Sequence, residues 1–221
     1  MAVPRPGGGV VGSAAMSLSS RRLPAAARRA QLIEVGRAVF AKHGFEATSV
    51  EEIAEKAGVS KPVVYEHFGG KEGLYAVIVD REMEYVVRRI SESISSGTAR
   101  ERVEHAALAF LTYVKDHPDG FAVLTHDTPV ASARGGMSSL LNDVAERVGE
   151  VFAASFKSAG YDAKAAPIYA HALIGMVTFV GQWWTESRKP PVEEVATHLA
   201  ALAWMGLRRL PKRPARITSR G

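Results

Sequence analysis

The side chains best suited to binding chemistry stand close together in one short stretch, residues 48–75, which reads TSVEEIAEKAGVSKPVVYEHFGGKEGLY. The stretch combines hydroxyl, ammonium, phenol and imidazole groups, all of which can donate hydrogen bonds to phosphate oxygens. Sequence patterns that place a nucleophile, a base or a pair of metal ligands at fixed spacing do not occur in the chain. The pattern therefore favours a binding role over catalysis.

Two short helices separated by a tight turn must position these groups. In the first predicted helix, apolar residues recur at helical spacing, and three glutamates and a lysine occupy the other face. Thr48 or Ser49 can cap its start, and Gly58 can end it because a tight turn commonly needs a positive φ. The apolar positions are Val50, Ile53, Ala54 and Ala57.

The second predicted helix starts after Ser60, which can cap it, and carries Pro62 in its first turn, where a missing N–H costs nothing. Val63, Val64 and Phe68 give the helix an apolar anchor. A helix this short and polar is not stable alone, so it must dock on neighbouring helices and present one face outward. A second helix with freely projecting N-terminal residues is the element that the DNA major groove requires.

The segment AGVSKPVVYEHFGGKEGLY resembles the signature of the TetR family of bacterial repressors, A-G-V-S-x-x-x-x-Y-x-H-F-x-x-K-x-x-L, and fills every fixed position. The preceding GFEATSVEEIA is similar to the segment that leads into that signature. The resemblance implies an all-α protein of about nine helices. It also implies an N-terminal helix-turn-helix domain, a C-terminal ligand-binding and dimerisation domain, and a homodimer that represses transcription from a palindromic operator.

The resemblance further implies a set of DNA contacts at the matching positions of this sequence. Thr48 is expected to donate to a phosphate, while Lys61 and the exposed side of Pro62 lie where base edges are read. Tyr65 is expected to hydrogen-bond a phosphate, with simple packing as the alternative. The full set is Thr48, Ser49, Ser60, Lys61, Pro62, Val63, Tyr65, His67 and Lys71.

The distribution of charge does not by itself indicate DNA binding. The chain has a net charge of +5, but removing the eleven basic residues at its two ends leaves 17 basic against 23 acidic residues. Between residues 41 and 75 there are four lysines and six glutamates. We therefore expect helix N-termini and a few donors to bind phosphates, with arginines such as Arg28 and Arg29 adding affinity through counterion release.

The rest of the chain has helical periodicity and no strand-like alternation. Predicted helices cover residues 24–43, 71–96, 99–116, 119–126, 137–160, 164–187 and 192–210, besides the two of the motif. The helix from Lys71 is expected to connect the two domains. The predicted divisions are a disordered tail (1–21), the DNA-binding domain (22–70), the ligand-binding and dimerisation domain (71–210) and a basic disordered tail (211–221).

The last two predicted helices are apolar over much of their circumference, which indicates either a deep core or a subunit interface. The resemblance favours an interface in which two helices from each subunit form a four-helix bundle, and a buried core hairpin is the alternative. The predicted interface residues are Ala170, Ile174, Val177, Leu199, Leu202 and Met205.

Aromatic and apolar residues of the C-terminal half could line an effector pocket, although each alone could equally belong to the core. Together they suit a hydrophobic effector, for which a lipid-like molecule or an acyl-CoA is the working hypothesis. The predicted lining is Phe110, Tyr113, Phe121, Phe152, Phe156, Met176, Phe179 and Trp183.

Other function classes are disfavoured by the sequence. The chain has no cysteine, and its seven histidines are scattered, so neither a metal site nor a cofactor site is expected. No apolar run long enough to span a membrane is expected, and the lack of a secretory signal predicts a cytoplasmic protein. A protein-interaction adaptor that kept the motif without binding DNA remains the main alternative, because the motif is acidic.

Overall fold

The computed structural model describes residues 23–125 and 137–211, and within them all regular structure is helical. The predicted tails, residues 1–21 and nearly all of 211–221, lie outside the described residues. The described part contains nine α-helices and one 3₁₀ turn (Ala163–Ala165). The helices are α1 (Ala25–Ala47), α2 (Val50–Lys56), α3 (Lys61–Phe68), α4 (Lys71–Ser93), α5 (Ala99–Asp116), α6 (Pro118–Thr125), α7 (Met137–Ser158), α8 (Ala166–Ser187) and α9 (Val192–Arg208).

The all-α prediction is confirmed, and the helix ends follow local chemistry. Helix α5 starts at the predicted residue because Thr98 and Glu101 form a reciprocal capping box. Helix α1 extends beyond its predicted end, since a further turn follows the non-helical Gly44 (φ 74°). Helix α8 starts two residues later than predicted because the 3₁₀ turn, capped by Asp162, precedes it.

Two apolar cores organise the molecule. The first is formed by α1–α3 together with one face of α4 and Val123 of α6, and Tyr75 donates a hydrogen bond to the carbonyl oxygen of Val123 at 3.0 Å. At the crossing of α1 and α4, a Cβ on Gly36 would lie 2.8 Å from a methyl group of Leu74, so the small residue permits the close approach. Helices α1–α3 together are called the three-helix unit. This unit is thus supported by α4 and α6.

The second core lies between α4, α5, α6, α8 and α9. Its buried members include Tyr113, Phe121 and Trp184, and the indole N–H of Trp184 donates to the carbonyl oxygen of Pro190 at 2.8 Å. Along α8, a Cβ on Gly181 would touch Phe110, Phe121 and a methyl group of α5 at 3.4–3.5 Å, so α8 packs closely there.

One helix among the described residues, α8 with its preceding turn (Ala163–Ser187), is long and apolar enough to cross a membrane by length and composition. The sequence predicts no such stretch, because no unbroken apolar run in it reaches the length of a membrane span. Core and interface helices of globular proteins pass the same test, and the helix carries an exposed face whose composition is described below.

Candidate nucleic-acid interface

The turn between α2 and α3 is fixed by hydrogen bonds at the end of α2. The Ser49 hydroxyl caps the start of α2 by accepting a hydrogen bond from the backbone N–H of Glu52 at 3.1 Å. At the other end, Gly58 adopts φ +64°, and its N–H and that of Val59 donate to carbonyl oxygens of the last turn. This is a Schellman arrangement, which only a residue tolerant of positive φ closes without strain. The predicted glycine turn is therefore present.

Helix α3 is anchored by its buried face and at its C-terminal end. Val64 is fully buried among residues of α1, α2 and α4. Arg29 of α1 donates a hydrogen bond to the carbonyl oxygen of His67 at 2.6 Å, and its guanidinium lies 4.3 Å from the centre of the Phe68 ring. A cation at a helix C-terminus is favourable because that end carries partial negative charge. Arg29 therefore positions α3, a role that differs from the expected phosphate contact.

The connection from α3 to α4 is equally restrictive. A Cβ on Gly73 would lie 1.9 Å from the backbone oxygen of Phe68, so no larger residue fits without moving the backbone. The Lys71 ammonium donates to the carbonyl oxygen of Phe45 at 3.0 Å and lies 4.3 Å from that ring's centre. Lys71, a predicted DNA contact, is thus engaged inside the protein in this conformation.

The outward face of α3 carries exposed polar groups. Ser60, Lys61, Pro62 and Tyr65 are exposed, and the Tyr65 side chain is 47 % exposed. Ser60 occupies the N-cap position, yet its hydroxyl makes no capping hydrogen bond. The Tyr65 ring is thus only partly packed against the protein. These four residues form one accessible surface around the first two turns of α3.

Three other predicted contacts are less accessible. Thr48 is only 2 % exposed, and its hydroxyl donates to the carbonyl oxygen of Gly44 at 2.7 Å, so the expected phosphate donor is instead part of the turn after α1. Val63 and His67 are half-buried against the three-helix unit. The sequence pattern could not distinguish these positions, because a short helix buries residues through contacts with other helices.

Two of the five glutamates in residues 48–75 are paired within the protein. Glu51 forms an ion pair with Lys61, and Glu52 lies 2.8 Å from Lys56 and 3.4 Å from His43. The hydrogen bond from Lys61 lowers the pKa of Glu51, and the same bond raises the pKa of Lys61. Lys61 is consequently a charged donor at the start of α3, and its partner in the described structure is Glu51 of α2.

The predicted effector-pocket residues separate into three groups. Tyr113 and Phe121 are buried in the second core, with Phe110 and Met176 packed beside them. Phe152 and Phe156 stack on each other instead, with ring centres 6.2 Å apart. The remaining two lie outside both groups.

Phe179 and Trp183 are exposed by 73 % and 50 % on α8. The structure therefore does not place them around a common interior with the others. The buried tryptophan is the next residue, Trp184, because the helical repeat turns the two adjacent side chains toward different faces.

The predicted interface residues also separate. Leu202 and Met205 of α9 are exposed, by 64 % and 55 %, whereas Ala170 and Leu199 are buried within the chain itself. Ile174 and Val177 are half-buried. Ala170 and Leu199 are thus core residues of the single chain. The exposed apolar residues of α8 lie on a different face of the helix from Ala170, and they are Ile168, Phe179 and Trp183.

Taken together, an exposed recognition helix on a firmly supported three-helix unit, joined to a larger helical domain, defines a helix-turn-helix DNA-binding protein. Within the described residues no group of three or more histidine, aspartate or glutamate side chains is arranged to hold a metal ion. The fold and the site thus define the class of protein.

The chain belongs to the TetR family. The family model for the N-terminal domain of bacterial regulatory proteins of the tetR family matches residues 32–78, and that for the tetracyclin repressor-like C-terminal domain matches residues 89–217. Proteins of this family bind operator DNA as dimers and respond to small-molecule effectors. The resemblance stated from the motif is confirmed, and so is the prediction that the protein is not an enzyme.

Several known proteins are similar over most of the chain. The transcriptional activator FasR of Mycolicibacterium smegmatis is 28 % identical over 193 residues, which cover 86 % of this chain and 87 % of FasR. The crystal structure of a TetR-like regulator from Rhodococcus sp. RHA1 superposes with a TM-score of 0.70 at 29 % identity, covering 86 % of this chain and all of that one. The fatty acid degradation regulator FadR of Bacillus halodurans shares the fold, with a TM-score of 0.68 at 18 % identity over 82 % of this chain and 96 % of FadR.

Proposed function

We propose that this DNA-binding transcriptional regulator binds a palindromic operator as a homodimer and leaves it when a small hydrophobic effector enters the C-terminal domain. The observation that carries the DNA-binding half of this proposal is the accessible surface of α3. There the Ser60 hydroxyl, which makes no capping hydrogen bond, lies with the Lys61 ammonium and the Tyr65 phenol within two turns of the helix N-terminus. Such donors bind phosphates and base edges, and the helix N-terminus itself favours an anion.

The exposed apolar surface supports the homodimer. On α8, Ile168, Ala172, Gly175, Phe179 and Trp183 follow each other at helical spacing along one exposed face. Only 17 % of the most apolar stretch of this helix is buried inside the chain. A surface of this composition needs a partner, because exposed contiguous apolar patches mark interfaces.

Helix α9 also exposes large apolar side chains, those of Leu202 and Met205. A Cβ on Gly175 of α8 or on Gly206 of α9 would meet no atom within 4 Å, so both glycines leave open space at which a second helix can approach. Two helices from each chain could then form a four-helix interface. A two-fold dimer would present two α3 helices to half-sites about one turn of DNA apart, which makes a palindromic operator the matching target.

The effector is proposed to enter the second core near Phe110, Phe121 and Met176. Their aromatic and aliphatic surfaces suit a lipid-like molecule or an acyl-CoA. The hydroxyl of Thr178, buried on α8 in the same region, has no hydrogen-bond partner in the described structure. A buried hydroxyl without a partner is costly, and a polar group of the effector would satisfy it. Effector binding would release DNA by favouring a conformation in which the two α3 helices are spaced differently.

The proposed sign of regulation is repression, as expected from the family motif. The names of related proteins include both signs. FasR is an activator, whereas ComR of Escherichia coli, 28 % identical over 129 residues, is a repressor. A promoter–reporter fusion with and without the regulator measures the sign directly, and increased expression in the presence of the regulator would refute repression.

DNA recognition is tested by comparing two lysines in fluorescence-anisotropy titrations against palindromes from the upstream region of the gene. Lys61→Gln should weaken operator binding and reduce the slope of log K against log salt, because it removes a positive charge that lies against the DNA. Lys56→Gln is the matched control, since Lys56 is an exposed lysine on α2 that pairs with Glu52. Equal effects of the two variants would contradict the assigned role of Lys61.

The dimer is tested by changing exposed residues that contribute nothing to the core of one chain. The double variant Phe179→Glu, Leu202→Glu should be monomeric by light scattering, keep its helical circular dichroism and bind the palindrome far more weakly. Lys157→Glu, on the exposed surface of α7, is the control. A double variant that remains dimeric would show that the chains associate through another surface.

A further inference from the structure

Three hydrogen-bonded side chains, those of Arg37, Glu82 and Tyr113, lie between the two cores and are called the polar chain here. They have no part in the α3 surface or in the proposed effector pocket. Arg37 of α1 donates a hydrogen bond to one carboxylate oxygen of Glu82 at 2.8 Å. The hydroxyl of Tyr113 on α5 donates to the other oxygen at 3.0 Å. Glu82 itself lies on α4 and is only 6 % exposed. One buried carboxylate thus joins three helices.

The surroundings keep this carboxylate in place. A Cβ on Gly120 of α6 would lie 2.2 Å from a carboxylate oxygen of Glu82 and 2.8 Å from the Tyr113 hydroxyl, so α6 lies directly on the pair. Arg37 also forms an ion pair with Glu34. A buried charge is tolerated only when it is paired and hydrogen-bonded, and here each oxygen of the carboxylate has its own donor.

The donors stay protonated. Burial raises the pKa of the Tyr113 hydroxyl well above its usual range, and the charge of Glu82 adds to the effect. Burial alone would lower the pKa of the Arg37 guanidinium, but the hydrogen bond to Glu82 and the nearby charges of Glu34, Glu82 and Asp119 raise it overall. Both groups are therefore hydrogen-bond donors at neutral pH.

The two donors belong to different parts of the molecule. Arg37 lies on α1, two residues before Val39 of the first core, which supports the recognition helix. The ring of Tyr113 is buried in the second core beside Phe121. A pocket of about 160 Å³ lies beside Glu82 and is lined by residues of α1 and α4 and by His117.

We propose that Glu82 and Tyr113 are positioning residues for DNA binding: the Tyr113–Glu82–Arg37 chain holds the three-helix unit in the orientation that places α3 on its operator. A shift of α5 or α6 in the second core would move the Tyr113 hydroxyl away from Glu82 and weaken the hold on α1. The proposal rests on the proposed operator binding, and it assigns Tyr113, expected only to line a pocket, a role in the contact between the domains.

The test is a pair of single-atom deletions in the full-length protein. Tyr113→Phe removes the hydroxyl that binds Glu82. Tyr85→Phe is the matched control, because its ring centre lies 6.0 Å from that of Tyr113 and its hydroxyl makes no hydrogen bond to Glu82 in the described structure. We expect Tyr113→Phe to weaken operator binding about tenfold, the effect of losing a hydrogen bond to a charged group, and Tyr85→Phe to bind like the wild type.

Hydrogen exchange provides a readout that does not depend on DNA. In Tyr113→Phe, amide exchange in α1 and α3 should accelerate, while exchange in α9 should remain unchanged. Faster exchange throughout the chain, or wild-type exchange in α1 and α3, would overturn the proposal. If the wild-type protein binds no operator, the proposed function fails, and the exchange pattern still decides whether the polar chain couples the domains.

A double-mutant cycle separates this role from general destabilisation. Arg37→Met and Tyr113→Phe act on the same carboxylate, so their effects on the operator Kd should be non-additive: the double variant should lose less affinity than the product of the single losses. Arg37→Lys, which keeps the charge, should recover part of the affinity lost in Arg37→Met. Strictly additive effects would show that the two donors act independently and would overturn the proposal.

Discussion

Replacement of Arg29 by methionine gives a quantitative test of how α3 is held. Methionine keeps an unbranched apolar stem but removes the guanidinium, which donates to the carbonyl oxygen of His67 at 2.6 Å and lies over the Phe68 ring at 4.3 Å. A hydrogen bond from a charged donor contributes about 1.5–3 kcal/mol, and a half-exposed cation–π contact about 0.5–1 kcal/mol. Because one group makes both contacts, the two terms overlap, and the expected loss is about 2 kcal/mol.

This loss should appear locally, because Arg29 touches the C-terminal end of α3 and nothing in the second core. A change of about 2 kcal/mol corresponds to roughly a 30-fold change in the equilibrium constant of local opening. Native-state hydrogen exchange of amides within residues 61–70 should therefore become about 30-fold faster, while exchange in α9 should stay the same. Operator affinity should fall as well, since binding needs α3 in its docked position.

Arg28→Met is the matched control, because Arg28 precedes Arg29 on the same helix and donates to Gln31 of that helix at 2.7 Å. It should leave exchange in α3 unchanged and reduce DNA affinity only to the extent that Arg28 binds a phosphate. If Arg28→Met accelerates exchange in α3 as much as Arg29→Met does, or if neither has an effect, the contact between Arg29 and the end of α3 does not stabilise the recognition helix.

Three further predictions concern single contacts. Gly73→Ala should lower the melting temperature and abolish operator binding, because its Cβ would lie 1.9 Å from the backbone oxygen of Phe68; an unchanged melt would show that the connection between α3 and α4 can relax. Glu51→Gln should strengthen binding to all DNA more than the control Glu55→Gln does, because it also frees Lys61 from its ion pair. Equal gains in affinity in anisotropy titrations would mean that only the net charge of the protein matters. Thr178→Val should stabilise the effector-free protein by about 1 kcal/mol in denaturant titrations, because it removes a buried hydroxyl that has no hydrogen-bond partner in the described structure. A loss of stability would show that this hydroxyl makes a hydrogen bond.

The elements of the fold were predictable from the sequence because helix ends carry local signals. The capping box at Thr98 fixes the start of α5, and the positive φ of Gly58 and Gly69 ends the two motif helices. The surface of α3 was predictable only in part, because Val63 and His67 of the expected set are half-buried. Ser60, Lys61 and Tyr65 lie there as expected.

The remaining features depend on contacts between residues far apart in the chain. Nothing in the local sequence shows that Arg29 reaches the end of α3, 38 residues away, or that Glu82 binds Arg37, 45 residues away. The choice between Trp183 and Trp184 as the buried ring depends on the rotation of α8 relative to its neighbours, which a helix with so broad an apolar surface does not specify. The burial of the interface and pocket residues was therefore harder to predict than the exposure of Ser60, Lys61 and Tyr65.

The most direct measurement of the central claim is an anisotropy titration of the full-length protein on a palindromic operator and on its isolated half-site, at several salt concentrations. The account predicts two chains per palindrome, much weaker binding to the half-site, and an affinity that falls linearly in a plot of log K against log salt. Binding of one chain per palindrome, equal affinity for the half-site, or affinity independent of salt would contradict it.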